Sequence, residues 1–179
     1  MPRNYLFTSQ RLGFRNWQET DVEPMAAINA DPDVMEFFPG TKTLQETKKF
    51  IERMQQQMGA RGYCYFAVDK LEDGAFIGFI GLSYQTYEAD FNPCVDIGWR
   101  LRKNEWNKGF ATEGAKRSLD YGLNELGLNK INCIAPKINL RSENVMKKIG
   151  MTKVKEFIHP MLLHDDRLRE CVLYEATKD

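Results

Sequence analysis

The stretch that most restricts the fold runs from Val95 to Ala135 and reads as strand, glycine-containing turn, helix and strand. Val95–Leu101 (VDIGWRL) has strand character and leads through a charged turn to Trp106, Asn107, Lys108 and Gly109. The helix that follows carries Ala111, Ala115, Leu119, Leu123 and Leu126 at near-helical spacing and closes on Gly127. Lys130–Ala135 (KINCIA) is the second strand, ended by Pro136. A strand–helix–strand unit normally makes a parallel pair with a right-handed crossover. In such sheets ligands collect beyond the carboxyl ends of the parallel strands, where residues 106–112 fall. Backbone N–H groups and the helix dipole converge there on an anion, so the turn reads as a diphosphate cradle for a nucleotide-like cofactor.

The remaining elements suit a mixed α/β sheet. Tyr5–Arg15 (YLFTSQRLGFR) reads as a first strand, and Glu19, Thr20 and Asp21 open a helix carrying Val22, Met25, Ala26 and Ile28. A short helical turn is expected over Val34–Phe37, stopped by Pro39 and Gly40. Thr43 and Glu46 form a capping-box pattern, and the helix behind it is expected to end at Gly59. Tyr63–Val68 and Ala75–Leu82 read as a hairpin joined through Asp69–Gly74. Asn139 begins a short helix with Val145, Met146 and Ile149 inward and Gly150 as its stop. Strands over Thr152–Ile158 and Arg169–Ala176 complete the order.

Composition narrows the class. The 179 residues (1–179) are read as one domain, with 25 Lys+Arg balancing 25 Asp+Glu. That balance lacks the basic excess of a nucleic-acid binder. No apolar run approaches the ~20 residues of a membrane-spanning helix, and the N-terminus lacks the apolar core of a secretion signal. Cys64, Cys94, Cys133 and Cys171 are scattered without a C-x-x-C pair, so reduced thiols and a cytoplasmic protein are expected, with no metal site. His159 and His164 flank an apolar loop, and the run His164–Asp166 reads as a solvated loop rather than a metal or acid/base cluster.

The turn is neither a Walker A loop nor a Rossmann fingerprint, since Gly98 and Gly109 are too far apart for G-x-G-x-x-G. Gly109 would let a phosphate approach the backbone without meeting a Cβ, Thr112 adds a hydroxyl, and Lys108 a point charge. An ordinary turn capped by Asn107 fits the same residues. Residues 106–113 (WNKGFATE) resemble the acetyl-CoA signature of the GNAT acyltransferases, and more narrowly its RimJ/RimL-like branch, where "G-x-A-T-E-A" is usual; here Gly114 replaces the final Ala. Residues 139–150 (NLRSENVMKKIG) are similar to the family's "N-x-x-S-x-x-V-M-x-K-x-G-F", with Met151 in place of the aromatic. Residues 8–15 (TSQRLGFR) are similar to its "T-x-R-L-x-L-R".

The resemblance implies a GNAT-like fold, mostly antiparallel with a central parallel pair that splays and helices on both faces. It implies acetyl-CoA as co-substrate and direct transfer of acetyl to a primary amine, either a protein N-terminus or a small molecule. Backbone groups of Trp99 and Leu101 would hold the pantetheine arm by strand addition. Amides of Asn107, Lys108, Gly109, Phe110, Ala111 and Thr112 would hold the diphosphate, Asn139 the arm from the other side, and Lys147 the nucleotide end. Ser142 would protonate the departing thiolate, with helix capping as its competing role. Asp96 would accept the amine proton, with an ion pair to Arg100 as its competing role. Tyr84 and Tyr174 are reserve acids. Asp31, Asp33, Glu36 and Phe37 would wall the acceptor site and meet a cationic amine. A CoA-binding sensor or scaffold of the same fold is the alternative. Oligomeric state is open, although dimers are common in that branch.

Overall fold

The computed structural model describes residues 4–178. Its strands are β1 (Phe7–Thr8), β2 (Leu12–Arg15), β3 (Tyr65–Lys70), β4 (Phe76–Gln85), β5 (Cys94–Leu101), β6 (Lys130–Pro136), β7 (Thr152–Ile158) and β8 (Glu170–Thr177). They form one sheet in the order β1-β2-β3-β4-β5-β6-β8-β7. Every neighbouring pair is antiparallel except β5 and β6, which run parallel and meet in register only at Asp96 and Asn132. The expected mixed sheet with a splayed parallel pair is therefore present. Beyond Asp96 the β5 edge turns away from β6, and this gap is the feature that positions the site.

Helices α1 (Val22–Ala30), α2 (Leu44–Arg61), α3 (Phe110–Asp120) and α4 (Leu140–Lys148) pack around the sheet. Side chains alternate across β4, so Phe79 meets Phe50 of α2 on one face while Ile80 lies under Gly114 of α3 on the other. Close approach explains the glycine at 114: a Cβ there would sit 2.3 Å from Ile80 Cδ1. Phe7, Phe14, Phe66 and Tyr121 stack together on the α3 side. Fully burying side chains of this kind contributes about 1.5–3 kcal/mol each.

Local chemistry accounts for the boundaries and for two departures from expectation. Tyr5–Arg15 is a tight hairpin rather than one strand, because Ser9 N–H bonds Leu12 O and the Ser9 hydroxyl accepts from Leu12 N–H. Thr43 and Glu46 make the reciprocal capping box at the start of α2. The helix runs past Gly59 to Arg61 and stops at Gly62, whose φ of 77° permits the N–H to reach Met58 O. Residues 34–37 lie in the expected short turn, where Met35 N–H bonds Asp31 O one helical turn back. Between β2, the turn before α1 and β3, Arg15 makes paired bonds to Asp21 (2.7 and 2.8 Å) and to Asp69 (2.7 and 2.9 Å). Burial opposes the charge, but the two carboxylates outweigh it and hold the Arg15 pKa above its ordinary value.

Candidate active site

Two connected clefts open where β5 and β6 part. The first, about 470 Å³, lies between the end of β5, the start of α3, α4 and the loop before α2. The second, about 630 Å³, lies between β5, β6, α2 and the loop bearing His159. Phe37, Phe38, Trp99, Arg100, Asn139 and Ser142 line both, so the clefts meet at these side chains.

The first cleft carries the backbone groups a cofactor of the expected shape needs. Arg102 N–H bonds Ile77 O across to β4. By alternation of the antiparallel ladder, Trp99 and Leu101 turn their backbone groups the other way, towards the gap. Leu101 O accepts the Trp106 indole N–H at 2.9 Å, which ties the turn to the end of the strand and leaves the Leu101 N–H and both Trp99 groups facing the gap. At the turn, Asn107 and Gly109 have φ of 60° and 81°. The first N–H of α3 to find a helical acceptor is that of Glu113, bonded to Gly109 O, so the amides of Phe110, Ala111 and Thr112 are left for an anion. These residues fit a diphosphate and the extended arm attached to it.

Gly109 is required for a reason other than clearance. A Cβ there would meet only Arg11 Nη2, at 3.4 Å, so the left-handed φ is what selects glycine. Arg11 braces the turn: its Nε donates to Glu113 at 2.7 Å, its Nη1 to Lys108 O, and its guanidinium lies 4.4 Å from the Phe110 ring centre. Ser9 also donates to Glu113, at 2.6 Å, so the 8–15 and 106–113 motifs hold each other.

Two expected cofactor contacts are otherwise engaged. Lys108 Nζ pairs with Glu105 at 2.9 Å, Lys147 pairs with Glu143 at 3.4 Å, and neither side chain lines a cleft. Arg141 and Lys148, which the motif reading passed over, do line the first cleft. The helical wheel of α4 supplied the signal, since positions 141, 145 and 148 share a face. Asn139 caps α4 through its side-chain oxygen, which accepts Ser142 N–H at 3.1 Å. That leaves the Ser142 hydroxyl for the junction of the clefts instead of the cap.

The second cleft surrounds Asp96. Its Oδ1 accepts the Tyr65 hydroxyl at 2.6 Å, and Gln85 Nε2 donates to that hydroxyl at 3.3 Å. Burial raises the Asp96 pKa to about 6, while Tyr65 and Gln85 pull the other way. The ion pair with Arg100 does not form, because Arg100 donates to Asn29 Oδ1 at 2.7 Å instead. Tyr65 reaches Asp96 because Gly98 has no side chain; a Cβ there would be 3.0 Å from the Tyr65 ring. A glycine inside a strand signals such close approach, and it was the clue to this partner.

His159 is part of the wall of the second cleft. It stacks on Tyr87 at 4.9 Å, its Nδ1 accepts Met161 N–H, and burial lowers its pKa. The Tyr87 hydroxyl is buried without a hydrogen-bond partner, and burial pushes its pKa up. The reserve acids lie elsewhere: Tyr174 donates to Glu143 at 2.6 Å, Tyr84 lies beneath Arg61, and neither lines a cleft. Phe37 walls both clefts, whereas Asp31 and Glu36 line neither. Glu36 is paired with Arg141 at 2.9 Å, Asp33 with Lys103, and Asp31 caps its own turn at Asp33 N–H. Among the described residues there is no cluster able to hold a metal ion and no helix long and apolar enough to cross a membrane.

Comparison with known proteins gives a consistent outcome. Residues 11–152 match the family model described as an acetyltransferase (GNAT) domain. The chain is 30% identical over 147 residues to the uncharacterized N-acetyltransferase YnaD of Bacillus subtilis, covering 82% of each. A crystal structure of an acetyltransferase (GNAT family) from Bacillus anthracis superposes with a TM-score of 0.79 at 26% identity, over 95% of this chain and 96% of that one. Spermidine N-acetyltransferase from Vibrio cholerae, solved in complex with CoA and spermine, shares the fold at 17% identity with a TM-score of 0.74, over 93% and 95% of the two chains.

Proposed function

The chain belongs to the GNAT acetyltransferase family, and from that premise we propose that it moves acetyl directly from acetyl-CoA to a primary amine within a ternary complex. It is an acetyl-CoA-dependent acetyltransferase; the proposal concerns the residues, the order of events and the acceptor. The observation that carries it is the meeting of the two clefts at Ser142 and Trp99, which gives donor and acceptor separate entries to one point. The whole chain is read as one such domain, of the RimJ/RimL-like branch, on the strength of the 106–113 and 139–150 motifs.

Acetyl-CoA supplies an activated thioester carbonyl. The free edge of β5 at Trp99 and Leu101 pairs with the pantetheine arm, Asn139 Nδ2 reaches it from α4, and the amides of Phe110, Ala111 and Thr112 take the diphosphate. Lys148 takes the place expected of Lys147 towards the nucleotide. Asp96 accepts a proton from the acceptor ammonium or attacking amine, directly or through water, and its raised pKa suits a base better than that of an ordinary aspartate. As the N–C bond forms and the C–S bond breaks, the Ser142 hydroxyl gives its proton to the departing sulfur and regains one from solvent. No enzyme nucleophile takes part, and none of the four buried cysteines faces this chemistry as a thiolate, since burial raises their pKa values.

The test is a panel of amines and peptide N-termini assayed for thiol release from acetyl-CoA. Initial-rate plots that intersect support the ternary complex, and parallel plots refute it. Ser142→Ala is expected to lower kcat while leaving acetyl-CoA affinity intact. Tight acetyl-CoA binding with no transfer to any amine would instead favour the sensor.

A further inference from the structure

The second cleft is lined by a half-buried cation that has no counter-ion. Arg100 projects from β5 on the same face as Asp96, lies between the rings of Phe38 (4.2 Å) and Phe79 (5.3 Å), and donates to the neutral Asn29. No carboxylate is within ion-pair distance of it among the described residues, and its Nε is buried without a partner. Burial lowers its pKa to about 10. The fully buried arginine, Arg15, shows what a structural role looks like: two carboxylates grip it bidentately. An uncompensated guanidinium is costly to keep in a protein interior, and the cost is offset where a ligand brings the anion.

The rim of the same cleft has the same sign. Lys49 and Arg53, one turn apart on α2, line it, and neither has an ion-pair partner among the described residues. Its two acids are already engaged: Glu46 by Thr43 and Lys42, Asp96 by Tyr65. The loop acids Asp31, Asp33 and Glu36, which would have drawn in a cation, are outside this cleft. A cleft of this charge attracts anions and repels polycations.

We propose that the acceptor is a primary amine that also carries an oxyanion, carboxylate or phosphate, with Arg100 binding the oxyanion and Lys49 and Arg53 steering it in. The inference rests on the transfer reading above and names its substrate class. Asp96 and Arg100 stand four residues apart on one extended strand, about 13 Å between Cα atoms. The amine and the oxyanion therefore lie several bonds apart in the acceptor. Polyamines, the acceptors named for the Vibrio cholerae neighbour, are excluded as preferred substrates.

The experiment compares matched pairs with acetyl-CoA: γ-aminobutyrate against its amide, a dipeptide with free against amidated C-terminus, and phosphoethanolamine against ethanolamine, with putrescine and spermidine alongside. The expected result is a kcat/KM at least tenfold higher for the anionic member of a pair, expressed mainly in KM; the carboxylate and phosphate arms separate the two sources of oxyanion. Arg100→Gln should abolish that ratio. Should that variant melt far below the wild type, the exposed double variant Lys49→Gln/Arg53→Gln decides instead: it should reduce the ratio several-fold and flatten its dependence on salt. Equal rates within the pairs, or spermidine as the best acceptor, overturn the inference and leave acetyl transfer standing. Acetyl-CoA binding without turnover of any amine overturns the transfer reading itself, and this inference with it.

Discussion

Asp96→Asn removes one charge and keeps an acceptor for the Tyr65 hydroxyl, so it isolates the cost and the use of a half-buried carboxylate. In the folded protein the group titrates at about 6, against about 3.9 in an unfolded chain. A folded pKa above the unfolded one means that the native state holds the proton more tightly. The associated stability is complete below about pH 4 and is lost as pH rises through 6. Two units at ~1.4 kcal/mol each put the penalty at neutral pH near 3 kcal/mol. Asparagine does not ionise, so the variant should be more stable than wild type at pH 7.5 by up to ~3 kcal/mol, a Tm higher by up to about 6–12 °C for a chain of this length. At pH 4 the two Tm values should converge. Activity should move the opposite way, with kcat/KM falling about 10²–10⁴-fold, the usual range for loss of a general base. The wild-type rise in kcat/KM near pH 6 should vanish in the variant. Thermal melts at three pH values and a pH–rate profile measure both effects. An asparagine variant no more stable than wild type at pH 7.5 would show that the carboxylate is not desolvated, and near-normal turnover would remove Asp96 as the base.

Three further outcomes follow from the geometry. Gly109→Ala forces a side chain into φ of 81°, at ~1–2 kcal/mol; because the amides of Phe110–Thr112 follow it directly, acetyl-CoA affinity in calorimetry should fall about tenfold, and an unchanged value would end the cradle assignment. Gly78→Ala would place a Cβ 2.1 Å from Arg100 O and 3.0 Å from Leu101 Cα, which should destabilise the protein to urea by about 3 kcal/mol and weaken acetyl-CoA binding by displacing the β5 edge. Arg15→Met strands Asp21 and Asp69 without their shared cation and should cost about 3–5 kcal/mol in urea unfolding at pH 7; a milder loss would indicate that water enters this cluster.

The parts legible in the sequence were those decided within a few residues. Thr43 and Glu46 cap α2 through their own neighbours, Asn139 caps α4 at Ser142, and Gly109 supplies a positive φ that launches α3. The strand–helix–strand order from Val95 to Ala135 dictated the parallel pair, because handedness and crossover length leave few alternatives. Even the end of α2 was lost by three residues, since Gly59 and Gly62 look alike until the backbone shows which one turns left-handed. Charge assignments depended on residues far apart in sequence. Lys108 and Lys147 lie near the start of α3 and on α4 as the motifs place them, and their side chains pair with Glu105 and Glu143. The place of His159 in the cleft wall is set by Tyr87, which stacks on it from 72 residues earlier in the chain. Asp96 acquires its raised pKa from burial, while the hydroxyl of Tyr65, 31 residues earlier in the chain, pulls it back down. Arg100 is left without a counter-ion because Asn29, not a carboxylate, faces it from α1. The sequence by itself determined the cradle at the start of α3, because its capping and its positive φ are fixed within a few residues. Only the tertiary structure decided the acceptor side, because desolvation and charge pairing are set by whatever the fold brings alongside.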